Sequence, residues 1–224
     1  MRQLGLIHTA HVLVPIFADL ARRHLPDWET FNIVDDSLLR NTIRAGKLEP
    51  PTSRRLAQHV WSAADAGADA VLVTCSSMGP AVDAATALSP VRLFRIDDAM
   101  AAAALEAGSR IAVLATLSTT LGPTRDLIER KARAAGLSAT VAHSVCAGAF
   151  EALQRGDRDR HDAIVLAELR KAAATADVVV LAQASMARVL DSLPADEIKV
   201  PVLSSPELGM KNLAQALQAG IEAA

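Results

Sequence analysis

One cysteine lies where a thiol can do chemistry. Cys75 falls within Ala68–Gly79, between a continuous apolar run that indicates a buried parallel strand and the start of a helix. Ser76 and Ser77 are expected to cap that helix. Free N–H groups at a helix start favour a thiolate, so we expect a lowered pKa and a role as acid, base or nucleophile for Cys75. The alternative is a small residue that fills space in the core.

The segment around Cys75 recurs later in the chain. Ala68–Met78 aligns without gaps with Ala176–Met186, at an offset of 108 residues that pairs Cys75 with Gln183. A duplicated unit of this length is too long for a solenoid repeat. The pattern predicts two similar α/β units.

The first strand recurs as well. Leu4–Thr9 aligns with Ile111–Thr116 at an offset of 107 residues, so that Thr9 pairs with Thr116. The two halves therefore open alike, and we predict two pseudo-symmetric, doubly wound parallel-sheet domains. The functional site is expected in the cleft between them.

Hydroxyl groups follow the predicted strands in both halves. Thr116, Ser118 and Thr119 come between an apolar strand and a helix, where hydroxyl and N–H groups can hold a carboxylate. Ser76 and Ser77 offer the same in the first half, and Thr9 occupies the place equivalent to Thr116. Simple capping of the helices is the alternative.

Other polar residues also end predicted strands. His8 could tune Cys75, contact the substrate or serve only the fold. Asp97 is expected to point to the cleft and Asp98 to cap a helix, or both to be caps. His8 and His11 lack a third ligand at useful spacing, so no metal site is predicted. Phosphate-loop and dinucleotide-binding motifs are absent from the sequence, and no cofactor is expected.

Strand and helix patterns alternate along the whole chain, which is typical of an α/β fold built from βαβ units. Strands are predicted at 4–8, 29–34, 70–74, 91–96, 110–115, 138–144, 178–182 and 200–204. Helices are predicted at 14–25, 53–66, 77–87, 98–107, 119–135, 160–174, 186–193 and 205–221. Gly67, Gly108 and Gly136 are expected to end helices in the left-handed conformation.

The predicted domains are residues 1–100 and 101–205, with a C-terminal helix, about 206–224, that can pack on the first. The stretch 35–52 is long for a βα connection. It is either a lid, a partner contact or a surface excursion with a short helix.

Composition excludes several classes of protein. A net charge of −2 gives no basic surface for nucleic acid, and 3% aromatic residues with no Tyr give no platform for stacking bases. No apolar run is long enough for a transmembrane helix, so no membrane partner is expected. The two cysteines do not form a disulfide framework, which favours the reducing cytoplasm. A homo-oligomer stays open.

Several segments together resemble the Asp/Glu/hydantoin racemase superfamily, which also contains arylmalonate decarboxylase and maleate isomerase. They occur in the right order over nearly the whole chain: 74–77, 96–100, 110–116, 152–157, 176–182 and 200–206. The resemblance implies a cofactor-independent enzyme with two α/β domains. Racemases of this kind place one cysteine on each side of the substrate α-carbon, where one removes a proton and the other returns one.

The resemblance assigns the first of these cysteines to Cys75. The second position is Gln183, followed by Ala184 and Ser185, which are expected to contact the substrate. Gln cannot donate or accept a proton at ordinary pH, so two-base racemisation is not expected. Cys146 could take over only if the fold brings it to face Cys75; otherwise it is a buried small residue.

The sequence therefore predicts a racemase-like isomerase that acts on a small carboxylate through the single thiol of Cys75. Three chemistries fit one thiol: proton exchange from one face, protonation of a carbanion left by decarboxylation, and addition to a double bond as in a maleate-type isomerase. A non-catalytic protein that binds a small ligand is the alternative from another class.

Overall fold

The computed structural model describes residues 2–194 and 197–222, and the expected final residues of the C-terminal helix, 223 and 224, lie outside this range. Its strands are β1 Arg2–His8, β2 Trp28–Val34, β3 Ala70–Val73, β4 Arg92–Arg95, β5 Arg110–Ala115, β6 Thr140–Val145, β7 Val178–Leu181 and β8 Val202–Ser204. They form two parallel four-stranded sheets, in the orders β2-β1-β3-β4 and β6-β5-β7-β8. The predicted α/β fold with two parallel sheets is confirmed.

The α-helices are α1 Leu13–His24, α2 Asp36–Ala45, α3 Pro50–Asp65, α4 Gly79–Thr86, α5 Asp98–Ala107, α6 Ser118–Ala134, α7 Ala149–Gln154, α8 Arg158–Ala173 and α9 Ser205–Glu222. Two 3₁₀ segments, Ser76–Met78 and Ala184–Ser192, follow β3 and β7. The second replaces the α-helix expected at 186–193. Helices α2 and α7 were not among the predicted helices.

The chain divides into two compact units. The first contains residues 2–97 and 206–222, and the second is Asp98–Ser205. In the first unit, Leu4 and Leu6 pack with α1 and α9 on one face of the sheet. Ile7 faces the other way, toward α2, α3 and α4. This alternation with a period of two is what a strand buried on both faces requires.

Helix α2 occupies most of the irregular stretch 35–52. The Asp35 side chain accepts a hydrogen bond from the N–H of Ser37 and so caps the helix, which ends at Gly46 with φ 70°. Leu38 and Thr42 are buried, and Leu38 belongs to the core of the first unit. The stretch is therefore a packed helix, in line with the third of the alternatives weighed for it.

The two sheets share the same register. Leu6 pairs with Leu72 between β1 and β3, and Val113 pairs with Val180 between β5 and β7, so the pairs differ by the offsets of 107 and 108 seen in the sequence. The repeated Ala-Asp motif also has an equivalent role. Asp69 accepts a hydrogen bond from the N–H of Gln3, and Asp177 accepts one from Arg110.

One helix-ending glycine departs from expectation. Gly67 and Gly136 have φ of 94° and 66°, as predicted, but Gly108 does not adopt the left-handed conformation. A Cβ at Gly108 would overlap the side chain of Asp177. Close approach of Asp177, which accepts hydrogen bonds from the N–H groups of Ser109 and Arg110, is therefore the reason for this glycine.

Candidate active site

Cys75 lies at the point where the strand order of the first sheet changes direction. It follows β3, next to β1, and precedes the 3₁₀ turn Ser76–Met78 with φ −120° and ψ 115°. The crevice at such a switch point is where open α/β sheets bind ligands, beyond the carboxyl ends of the strands. The thiol is free and partly buried.

The pKa of the Cys75 thiol is raised, which contradicts the expected lowering. Burial is the main cause, and it outweighs the hydrogen bonds that the sulfur receives from the Thr9 hydroxyl, from Ser77 and from the backbone N–H of Met78. The N–H groups at the turn do favour the thiolate, as expected. The loss of water around the sulfur is the larger effect, so Cys75 is a protonated thiol at neutral pH.

Ser76 and Ser77 do not cap α4, contrary to expectation. They lie inside the 3₁₀ turn, and the cap position of α4 is Met78, which makes no side-chain capping bond. Both serines are buried. Ser77 instead directs its hydroxyl and its N–H toward the sulfur of Cys75.

His8 serves the scaffold that carries the thiol. Its ring is fully buried, with Nδ1 at 2.9 Å from Thr74 Oγ1 and Nε2 at 2.9 Å from Asn32 Oδ1. Burial lowers the pKa of His8, so the ring is neutral at pH 7. Both ring nitrogens are engaged within the first unit, and the expected contact of His8 with the substrate stays a prediction. His8 links the segments that carry Thr9 and Cys75, and the part played by Asn32 was not foreseen from the sequence.

Asp97 does not point to a cleft. Its side chain is fully buried and binds the guanidinium of Arg95 through both oxygens, at 2.7 and 2.9 Å. Arg95 also donates to Asp83 at 2.6 Å. A Cβ at Gly79 would overlap this guanidinium, which explains the glycine directly after the 3₁₀ turn. Arg95 was not predicted, and Asp98 pairs with Lys131 at 3.0 Å.

Gln183 occupies the place in the second unit that Cys75 occupies in the first. It follows β7 and precedes the 3₁₀ segment Ala184–Ser192, with φ −133° and ψ 139°. The N–H of Met186 donates to the carbonyl of Gln183, as that of Met78 does to Cys75, each at 3.0 Å. The pairing predicted from the repeat thus describes equivalent local structures.

Thr116 is already engaged by Gln183. The Gln183 Oε1 atom accepts hydrogen bonds from the Thr116 N–H at 2.5 Å and from the Thr116 hydroxyl at 2.8 Å. These two donors were expected to hold a substrate carboxylate; the glutamine amide engages both of them, and the contact of Thr116 with the substrate stays a prediction. In the first unit, the equivalent Thr9 hydroxyl contacts the Cys75 sulfur.

The remaining predicted residues lie beside this threonine–glutamine pair. Ser118 begins α6 and is exposed, whereas Thr119 is buried and its hydroxyl has no hydrogen-bond partner among the described residues. The cap of α6 is Leu117, so none of these hydroxyls caps the helix. Ala184 and Ser185 are partly buried in the 3₁₀ segment after Gln183.

Comparison with known proteins decides the family. The sequence profile of the Asp/Glu/hydantoin racemase family matches residues 7–213, which is most of the chain. The chain belongs to the Asp/Glu/hydantoin racemase family. No curated protein sequence matches it.

Solved structures of racemases share this fold. A glutamate racemase from Francisella tularensis in complex with D-glutamate superposes with a TM-score of 0.75 at 13% identity, over 98% of this chain and 81% of that one. A glutamate racemase from Bacillus anthracis gives 0.70 at 18% identity, over 98% and 82%. An allantoin racemase from Pseudomonas fluorescens gives 0.63 at 22% identity, over 98% and 91%. Identities this low establish the fold alone.

Cys146 does not supply this racemase-family protein with a second reactive thiol. It is fully buried in an apolar cluster of the second unit with Ala149, Val165 and Met186. Burial and the nearby charge of Glu168 raise the pKa of Cys146 to about 11. Its surroundings are those of a structural cysteine.

The structure also bears on metal binding and on membrane insertion. Among the described residues, no cluster of three or more His, Cys, Asp or Glu side chains could bind a metal ion. No helix within residues 2–194 and 197–222 is long and apolar enough to cross a bilayer.

Proposed function

We propose that this member of the Asp/Glu/hydantoin racemase family is a cofactor-independent, isomerase-like enzyme that acts on a small carboxylate through one thiol, Cys75. One observation carries the proposal: the same turn after the equivalent strand holds Cys75 in one unit and Gln183 in the other. A thiol can exchange a proton with carbon, whereas an amide only donates and accepts hydrogen bonds. Gln183 is therefore assigned a role in binding rather than in proton transfer.

The raised pKa of Cys75 favours the role of proton donor. A thiol that is protonated at neutral pH can give its proton to a carbanion without prior activation. This supports one-sided protonation of a carbanion by Cys75. Decarboxylation leaves such a carbanion directly, with CO₂ as the leaving group. In proton exchange, Cys75 first loses its proton to solvent, and the thiolate then removes the substrate proton and returns one to the same face. Addition of Cys75 to a double bond, as in a maleate-type isomerase, uses only the thiolate and never the thiol as donor, so it is the less favoured chemistry.

The carboxylate of the substrate is proposed to bind at the first turn of α6. The first N–H groups of a helix lack partners one turn earlier. In α6 the N–H of Thr120 donates to the Leu117 carbonyl, which leaves the N–H groups of Ser118 and Thr119, and the buried Thr119 hydroxyl beside them has no hydrogen-bond partner among the described residues. The Gln183 amide is the further donor at this place. Since the free thiol is required, we place the activity in the reducing cytoplasm.

Cys75→Ala tests the proposal. General acid–base catalysis contributes roughly 10²–10⁴-fold, so the variant should lose at least ~10²-fold in turnover without unfolding. The assay is incubation with amino acids, hydantoins, malonates and maleate in deuterated water, followed by NMR. Cys146→Ala is the matched control and should retain activity. Full activity in Cys75→Ala would reject the thiol mechanism, and a wild-type protein that binds these acids without reaction would instead be a ligand-binding protein.

A further inference from the structure

The orientation of the Gln183 amide is fixed by Thr116. A backbone N–H can only donate, so the atom that faces it at 2.5 Å must be the amide oxygen. The Thr116 hydroxyl donates to the same oxygen at 2.8 Å. With its oxygen bound twice, the amide cannot flip without losing both bonds.

The amide nitrogen of Gln183 is consequently the outward group. Among the described residues it has no hydrogen-bond partner, and the side chain is partly exposed. An amide NH₂ carries two donors and no acceptor. It can bind a carboxylate or carbonyl oxygen, and it offers nothing to an ammonium group.

The carboxyl edge of the second sheet contains no charge to oppose this preference. The first two residues after β5, β6, β7 and β8 include no Asp, Glu, Lys, Arg or His: Thr116, Leu117, Cys146, Ala147, Ala182, Gln183, Ser205 and Pro206. The one ionisable side chain among them, Cys146, is fully buried. An ammonium group placed here would lose water without gaining a carboxylate partner.

We propose that Gln183 is a specificity-determining residue that selects a small acid without an α-amino group. Its two amide donors bind a carboxylate or carbonyl oxygen of the substrate, and the uncharged strand ends around it disfavour an ammonium group. The inference rests on the proposed function only in taking the ligand of this edge to be the substrate.

The test compares acids that differ in one ammonium group. Calorimetry measures the binding of succinate against L-aspartate, propionate against L-alanine and phenylacetate against L-phenylglycine. Wild-type protein should bind the ammonium-free member of at least one pair tenfold or more tightly than its partner. Equal or tighter binding of the amino acids, or binding of neither member in any pair, overturns the proposal.

Gln183→Glu sharpens the test because it is nearly isosteric. One carboxylate oxygen can still accept the two bonds from Thr116, while the outward NH₂ becomes a negative oxygen. Loss of a hydrogen bond to a charged group predicts tenfold to hundredfold weaker binding of the acid, and the new repulsion adds to it. Gln183→Met removes the donors without adding charge and should weaken binding about tenfold or more. Gln154→Glu makes the same change at an exposed position of α7 and should leave affinity unchanged.

Unchanged affinity in both Gln183 variants, with melting curves that show folded protein, would refute the role of the amide. Deuterium exchange on the same compounds separates this inference from the proposed catalysis. Binding that depends on Gln183 without exchange that depends on Cys75 upholds the specificity and rejects the catalysis. Catalysed exchange on amino acids upholds the catalysis and rejects the specificity.

Discussion

A threonine at the end of the first strand of each unit contacts the residue at the start of the following 3₁₀ segment. Thr9 bonds to the sulfur of Cys75, and Thr116 bonds to the amide oxygen of Gln183. The threonine contact is thus present in both units, but its partner is a thiol in the first and an amide in the second. The thiol of the first unit can transfer a proton, whereas the amide of the second unit can only donate and accept hydrogen bonds.

Two threonine variants should separate these roles. Thr9→Val removes a hydrogen bond that lowers the Cys75 pKa, so the thiol should titrate at higher pH and react more slowly with iodoacetamide at pH 8. Thr116→Val should leave that reaction unchanged and weaken ligand binding, because Gln183 loses one of the bonds that orient it. Rates of alkylation and calorimetry provide the two measurements. The same response in both variants would contradict the division of roles.

The pH dependence of alkylation tests the state of Cys75 directly. Because burial raises its pKa above the ordinary 9.0, the rate should keep increasing beyond pH 9 and the thiolate fraction at pH 7 should be below that of a free cysteine. Mass spectrometry of the Cys146→Ala variant follows Cys75 alone. A midpoint below 9.0 would contradict the raised pKa and restore the lowered pKa expected from the sequence.

The sequence was sufficient to pair Cys75 with Gln183, but it did not predict the sign of the pKa shift of Cys75 or the hydrogen bonds of Gln183. The gap-free repeat correctly related Cys75 to Gln183 in local structure. The sign of the Cys75 pKa shift was wrong, since desolvation depends on residues distant in sequence that cover the sulfur. The bonds of Thr116 to Gln183 depend on side-chain conformation, which spacing does not reveal.

A buried ion pair lies against the residue that follows the 3₁₀ turn after β3. Arg95 lies under Gly79 and binds Asp97 and Asp83.

All eight strands were predicted with ends within two residues, because apolar runs and flanking glycines indicate them well. Helix α7 has only six residues, too few to show helical periodicity, and a 3₁₀ segment has no distinct pattern of its own.

Helix α2, by contrast, carried a readable signal. Asp35 at the cap and Gly46 after the last turn enclose the amphipathic run Asp36–Ala45. The acidic and proline residues at the two ends of the stretch 35–52 are equally typical of an irregular connection, so α2 was not predicted. The ion pair of Arg95 with Asp97 was unforeseen because Asp97 follows β4, where a carboxylate also suits a ligand site.

Asp97→Ala should strongly destabilise the first unit. Removal of Asp97 breaks the buried bidentate pair and leaves Arg95 with the partly exposed Asp83 as its carboxylate partner, and the loss of one partner of a buried pair costs about 3–5 kcal/mol of unfolding free energy. Urea denaturation measures the effect. Asp83→Ala is the control: this partner is one-third exposed, and its loss should cost about 1 kcal/mol or less. Equal costs for the two variants would show that the bidentate pair has no special role.

The core of the first unit includes helix α9, which follows the second unit in the sequence. Met210, Leu213 and Leu217 of α9 pack with Leu4 and Leu6 of β1 in one core. The second unit is a single continuous segment, Asp98–Ser205. The residues that precede and follow the second unit in sequence must therefore meet before the core around β1 is closed.

Leu213→Ala tests this dependence with an internal reporter. The chain has two tryptophans, Trp28 and Trp61, both in the first unit, and Trp28 packs against the core that contains Leu213. Truncation of a fully buried leucine costs about 2–5 kcal/mol, so urea unfolding followed by tryptophan fluorescence should shift to lower urea by that free energy.

Gln218→Ala alters an exposed residue of the same helix and should change the unfolding free energy by less than about 0.5 kcal/mol. It controls for effects on the helix itself. If Leu213→Ala leaves the fluorescence transition in place, α9 does not stabilise the first unit, and the core around β1 must be closed by α1 alone. A shift confined to Leu213→Ala shows instead that the sheet carrying Cys75 depends on residues more than a hundred positions further along the chain.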